Sequence, residues 1–211
     1  YFLLAILLAA PVAWGETAPP PERSARADFW LVVSNWSALE AIRPSAGGGF
    51  DATGFGLGGG LYLTVGEFAN SELLAGIDGF IAANDSNIRG MFADVLARQL
   101  YLGGSLKWAL GKERGFTLDA GIGYHLADMA EVGDYYPQIE RELWEAHRVG
   151  AYIGASWDLP GSSLGSPGRW MLGFRAHFAD FGAVQGPDPL GPDAGRLDGP
   201  LYMVQVGYGL R

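Results

Sequence analysis

Along most of this chain, apolar side chains recur at every second position. In DATGFGLGGGLYLTVG (51–66), Phe55, Leu57, Leu61, Leu63 and Val65 share one side, opposite Gly54, Gly56, Gly58, Gly60, Tyr62 and Thr64. A period of two belongs to a strand, whose successive side chains point to opposite faces. In GFTLDAGIGYHLAD (115–128), Phe116, Leu118, Ala120, Ile122, Tyr124 and Leu126 oppose Thr117, Asp119, Gly121, Gly123 and His125. In AHRVGAYIGASWD (146–158), Val149, Ala151, Ile153 and Trp157 oppose Arg148, Gly150, Tyr152, Gly154, Ser156 and Asp158. In RWMLGFRAHFADF (169–181), Trp170, Leu172, Phe174, Ala176 and Phe178 oppose Arg175 and His177. The stretch GPLYMVQVGYGLR sets Tyr202, Val204, Val206, Tyr208 and Leu210 against Met203, Gln205, Gly207 and Gly209. With 28–42, 72–83 and 93–110 these make eight strand-like blocks separated by Gly, Pro, Asp and Ser breaks. Such a series predicts an all-β sandwich or barrel.

The second face decides between them. A soluble sandwich shows Lys, Glu and Thr to water and buries its apolar side. Here the opposing set is glycine with isolated charges, which suits a narrow lumen that side chains must fill. The apolar set, tipped with aromatics, suits lipid and its two interfaces. In hydrocarbon every backbone group must pair, and a closed barrel is how strands achieve that. The prediction is an all-β, eight-stranded antiparallel up-and-down transmembrane β-barrel over residues 28–211. A soluble lipocalin-like binder is the alternative, and it requires the apolar face to point inward.

The breaks alternate in length. Those at 67–71, 111–114 and 159–168 are each shorter than the breaks on either side of them, at 43–50, 84–92, 129–145 and 182–199, of which the last two are long. Membrane barrels carry short turns on the periplasmic side and longer loops outside, so this alternation also gives an orientation.

Composition adds three constraints. Glycine is abundant at 33 residues, and there is no cysteine, which removes thiolate metal sites and cysteine nucleophiles. A net charge of −9 argues against a nucleic-acid partner. The opening YFLLAILLAAPVAWG (1–15) is shorter than the ~20 residues of a spanning helix. It reads as the apolar region and cleavage site of a signal peptide, entered partway because no Met or basic segment precedes it. Residues 16–27 then form a Pro-rich lead-in.

On these residues the chain resembles the small eight-stranded outer-membrane β-barrel proteins of Gram-negative bacteria. The resemblance covers residues ~28–211 and rests on the alternation. In that family the last strand ends in alternating hydrophobics with a terminal aromatic that the barrel-assembly machinery reads. Tyr202, Val204, Val206, Tyr208 and Leu210 match, and the next position in that phase would be residue 212. The resemblance implies the outer membrane as location, with outer-membrane lipid, lipopolysaccharide and the assembly machinery as partners. It implies no cofactor.

Parity assigns Glu40, Asp78, Gln99, Lys107, Asp119, Arg148, Tyr152, Asp158, Arg175 and Gln205 to the lumen. Charges in a narrow interior must pair, which predicts either a salt-bridged plug or a restricted, porin-like polar path. His125, His147 and His177 fall toward the outer rim, near Asp128, Glu131, Asp134, Glu145 and Asp180. Imidazoles among carboxylates are candidate metal ligands or general bases, although parity sends His147 outward and the other two inward.

Some small outer-membrane barrels are lipid A deacylases, which use a His and a Ser two residues apart with a Glu. The matching spacings here are HLA (125–127), HRV (147–149) and HFA (177–179), none with the serine. GFGLGGG (54–60) lacks the following helix that a phosphate loop requires. Within the break at 129–145, PQIERELWEAH offers a first-turn Pro and helical spacing of Ile139, Leu143 and Trp144, so a short rim helix or a solvated loop is expected there. The last break, VQGPDPLGPDAGRLDGP, predicts irregular structure. The functional expectation is a structural or envelope-interaction barrel, or one passing a small solute. An outer-leaflet lipid-modifying enzyme with one of the histidines as base is the runner-up.

Overall fold

The computed structural model describes residues 25–68, 71–89, 94–111, 115–133, 140–159 and 168–210. The leader, most of the lead-in, Asp134, Pro137, Ile139 and Arg211 lie outside these. The described residues form ten strands: β1 (Ala25–Asn35), β2 (Phe50–Phe68), β3 (Ser71–Ser86), β4 (Asp94–Leu110) and β5 (Phe116–Val132). They continue with β6 (Glu140–Asp158), β7 (Gly168–Phe178), β8 (Gly182–Val184), β9 (Gly195–Leu197) and β10 (Pro200–Leu210). Eight of them close a barrel in the order β1-β10-β7-β6-β5-β4-β3-β2, every ladder antiparallel. β8 and β9 make a separate two-stranded hairpin. The last barrel strand meets the first, with Phe29 opposite Tyr208 and Leu31 opposite Val206.

The apolar phase faces out. Leu31 is 71% exposed, Leu61 61% and Val149 73%, and the aromatic residues Trp108, Trp157, Trp170 and Phe178 lie on the same surface. No soluble protein tolerates a continuous apolar belt of that kind. The soluble lipocalin-like alternative requires the reverse arrangement and is thereby overturned. Inside, the glycines give way to neighbours' rings. A Cβ on Gly121 would lie 2.3 Å from the Tyr152 ring, and one on Gly60 would lie 2.3 Å from the Tyr62 hydroxyl. The emptied inner face is therefore where large lumen side chains from adjacent strands lie flat against the wall.

Two expectations about the outer loops are corrected. Glu140–Asp158 is one strand, so the helical spacing of Leu143 and Trp144 does not report a helix there. A register shift pairs Met129 with Trp144 but Ala130 with Glu142, leaving Leu143 as an extra residue. Such a bulge turns two consecutive apolar residues toward one side, imitating helical spacing. The irregular last break in fact contains the β8–β9 hairpin.

The first block is also shorter as a strand than its sequence suggests. After Asn35 the chain leaves the ladder and forms a 3₁₀ helix, Ser37–Ala41. Trp36, Leu39 and Ile42 are fully buried there, packed with Phe50, Ile88, Val95, Met129, Leu143, Phe181, Val184, Leu190 and Leu197. These residues come from separate connections and from the tops of the strands. Together they form an apolar cap over the outer end of the lumen.

Candidate functional site

Below the cap the lumen is polar, and its charges balance. Arg26, Lys107 and Arg175 face Asp28, Asp78 and Asp119, all six buried. At the inner end, Asp28 receives Arg26 Nε at 2.7 Å on one oxygen and Lys107 Nζ at 2.6 Å on the other. Nearby, Arg169 Nη1 lies 3.0 Å from Asp158. At mid-height, Arg175 Nη2 bridges Asp78 at 2.8 Å and Asp119 at 2.7 Å. Asp78 also accepts hydrogen bonds from the hydroxyls of Tyr62 (3.0 Å) and Tyr152 (2.7 Å). The cations lie on rings as well: Lys107 Nζ is 3.9 Å from the Tyr62 centroid, and the Arg175 guanidinium is 4.4 Å from that of Tyr152.

This arrangement follows from the strand geometry. The charged residues sit in the inward phase of their strands, and the register sets Gly60 opposite both Asp28 and Asp78 and Gly154 opposite both Asp119 and Arg175, so long side chains can span the bore. Ion pairs taken out of water are stabilising only when their hydrogen-bonding capacity is met, and here guanidinium and two phenols converge on Asp78 Oδ2 while Asp78 Oδ1 and Arg175 Nη1 keep no partner among the described residues. Above it Tyr101, His125, His177, Phe80 and Tyr152 make an aromatic layer. The His125 Nε2 and His177 Nδ1 nitrogens are 3.1 Å apart, and the Tyr101 ring lies tilted at 4.6 Å from His125 and edge-on at 5.0 Å from His177.

The structure brings together Asp78, Lys107, Asp119, Tyr152 and Arg175 in the lumen, with Gln99 and Gln205 buried beside them and Asp158 at the inner mouth. Two expected members are absent from the lumen. Glu40 is exposed on the 3₁₀ helix, because the chain has already left the ladder. Arg148 has the inward register, opposite His125, but is exposed: β7 ends at Phe178, paired with Ala151, no ladder continues beside it, and its guanidinium turns to the Asp180 and Phe181 carbonyls.

Parity overlooked Arg26 and Asp28, since the lead-in was extended to residue 27 and Asp28 opened the first block. Their alternation with Trp30 and Val32 was the available signal. The three histidines do not assemble into one site. His125 and His177 are buried, whereas His147 faces out, between the Tyr124 hydroxyl on Nδ1 and Glu145 on Nε2. Above it Arg98 holds Asp128 at 2.7 Å and also contacts Glu140, and Arg141 lies 3.6 Å from Glu131. Among the described residues no group of three or more His, Asp or Glu is arranged to hold a metal ion.

A closed antiparallel barrel with a polar, filled interior and an apolar, aromatic-edged exterior is a transmembrane β-barrel of the outer-membrane class. No protein-family model matches the chain, and no curated protein matches it. Among solved structures it is similar to Neisserial surface protein A, with a TM-score of 0.47 and 10% identity over 89% of this chain and 97% of the other. It is similar to Ail, the attachment invasion locus protein of Yersinia pestis, with a TM-score of 0.43 and 10% identity over 88% and 96%. The transport unit of the autotransporter AIDA-I from Escherichia coli gives 0.41 and 11% over 99% and 96%. No role is carried from these proteins to this chain.

Proposed function

We propose that this protein is a non-conducting outer-membrane barrel whose work is done at its surfaces: it spans the membrane as a stable envelope element and presents its capped outer end to the surroundings. One observation carries this reading. Arg175 joins carboxylates on two other strands across the bore, and the apolar cap lies in series above that closure. Ions meet first a hydrocarbon-like seal and then a charge-neutral plug with no free counterion to exchange. Outer-leaflet lipid and lipopolysaccharide are the natural contacts of the belt and of the charged rim at Arg98, Asp128, Glu140, Arg141, Glu145 and His147. The barrel-assembly machinery is the expected partner during insertion.

A lipid-modifying reaction is less well supported. His125 and His177 contact each other inside the barrel, His147 at the lipid boundary has the Tyr124 hydroxyl and the Glu145 carboxylate as neighbours among the described residues, and none of the three has a serine two residues on. The reading is tested by planar-bilayer recording of protein whose folding is verified by heat-modifiable gel mobility. Flat traces are expected; discrete conductance steps from the folded protein would overturn it.

A further inference from the structure

A chamber lies between the aromatic layer and the cap, about 280 Å³ counting its open mouth, lined by Trp36, Phe80, Gln99, His177, Phe181 and Leu201 among others. Its walls are apolar, and its polar lining comes from side chains that are almost wholly buried: Gln99 is 3% exposed and His177 1%. Each keeps one polar atom without a hydrogen-bond partner among the described residues, Oε1 of Gln99 and Nε2 of His177. The other end of each is engaged, Gln99 Nε2 with Asn84 Oδ1 at 3.3 Å and His177 Nδ1 with His125. A buried polar atom left unpaired is destabilising, so a group that satisfies both is favoured.

A hydroxyl fits both atoms. It donates its one proton to Gln99 Oε1, which only accepts, and its oxygen accepts from His177 Nε2–H in the tautomer whose Nδ1 accepts from His125 Nε2–H. The enclosed part seats no more than one water-sized group, so the polar end of a ligand is limited to a single hydroxyl. The apolar body then lies in the mouth, against Phe181 and Leu201.

The barrel wall is incompletely laddered where Ala179 and Phe181, which line the chamber, run past β6. β6 pairs with β7 only over Ala151–Asp158, so residues 140–150 have a ladder to β5 alone. The segment that continues from β7 closes the gap without ladder hydrogen bonds among the described residues. It is held by Arg148, whose Nε donates to the Asp180 carbonyl at 3.0 Å and whose Nη2 donates to that of Phe181 at 3.5 Å. The gap opens where the lipid-facing series ends, at Val149 and Phe178, within reach of molecules dissolved in the outer leaflet.

We propose that this chamber binds small apolar molecules bearing one hydroxyl, admitted sideways through the seam between β6 and the segment after β7, with Arg148 as its latch. The inference does not depend on whether the lumen conducts. The test is ¹⁹F NMR of 4-fluorophenol with the refolded full chain in detergent micelles, with fluorobenzene as the probe lacking the hydroxyl. Saturable binding of 4-fluorophenol is expected, at least tenfold tighter than that of fluorobenzene. Gln99→Leu should weaken it about tenfold, Ala179→Trp, which blocks the mouth, should abolish it, and Arg148→Ala should speed exchange severalfold. Folding of each variant is checked by gel mobility. Equal affinity for the two probes in the native protein, or an Ala179→Trp response identical to native, would overturn the site. Unchanged exchange in Arg148→Ala would overturn the seam as its entrance.

Discussion

Asp78 on β3 and Arg175 on β7 stand on diametrically opposite strands of the ring, yet their side chains meet at 2.8 Å. The bore is thus bridged by one ion pair, with Asp119 as second acceptor and two tyrosines as donors. Asp78→Ala should destabilise the barrel by about 3–5 kcal/mol, since it unpairs one side of a buried cation and strips two phenols of their acceptor. Asp119→Ala should cost less, because Arg175 keeps Asp78. Urea unfolding of protein refolded into vesicles measures both, and equal losses would refute the ranking.

The glycine face predicts a contrast between two alanine substitutions. Gly121→Ala drives a methyl into the Tyr152 ring and should cost about 1–3 kcal/mol. Gly104→Ala, where an added Cβ meets nothing within 4 Å, should be near neutral. Tyr152→Ala in the Gly121→Ala background should recover part of the loss, read in the same unfolding assay.

The lipid face should respond by depth. Leu31→Arg, in the middle of β1, should cost about 2–4 kcal/mol, whereas Tyr202→Arg, at the outer end of β10, should cost about 0–1 kcal/mol. Unfolding of the two variants in vesicles of one composition gives the comparison. A reversed order would place the belt at the wrong height.

Two seals in series should fail only together. Leu190→Asp puts a charge into the cap, where Leu190 is 1% exposed, and should make the segment between β7 and β10 protease-sensitive while the barrel stays folded. Arg175→Ala opens the plug below. Bilayer recordings should remain flat for either variant and show steps for the double variant.

The strand phases were legible because lipid outside and glycine inside exaggerate the period of two. Every outward residue assigned in the second block, Phe55 to Val65, is exposed. Residues that leave the ladder were harder to read. Trp36, Leu39 and Ile42 look like a strand running on, and parity carried through them sent Glu40 inward. Arg148 kept its register but lost its wall, since the end of β7 is a fact about a neighbour that β6 does not encode. The cap was invisible for a related reason. Leu190 and Leu197 have no periodicity among their prolines and glycines, and their partners lie up to ~150 residues away in the chain, a non-local packing that only tertiary structure creates.

The register of Ala27 opposite Leu210 has a kinetic corollary. Seven of the eight barrel ladders join barrel strands that follow one another along the chain, so the chain can assemble as a growing ribbon of hairpins. The eighth must wait until nearly the whole sequence is available, and until then the ribbon carries two raw edges. Contacts of such long separation form slowly, and hydrocarbon offers nothing to occupy those edges meanwhile. The barrel must therefore close as it inserts, or be escorted with β1 and β10 covered. A chain permuted so that β1 directly follows β10 would convert that last, slow ladder into an ordinary hairpin.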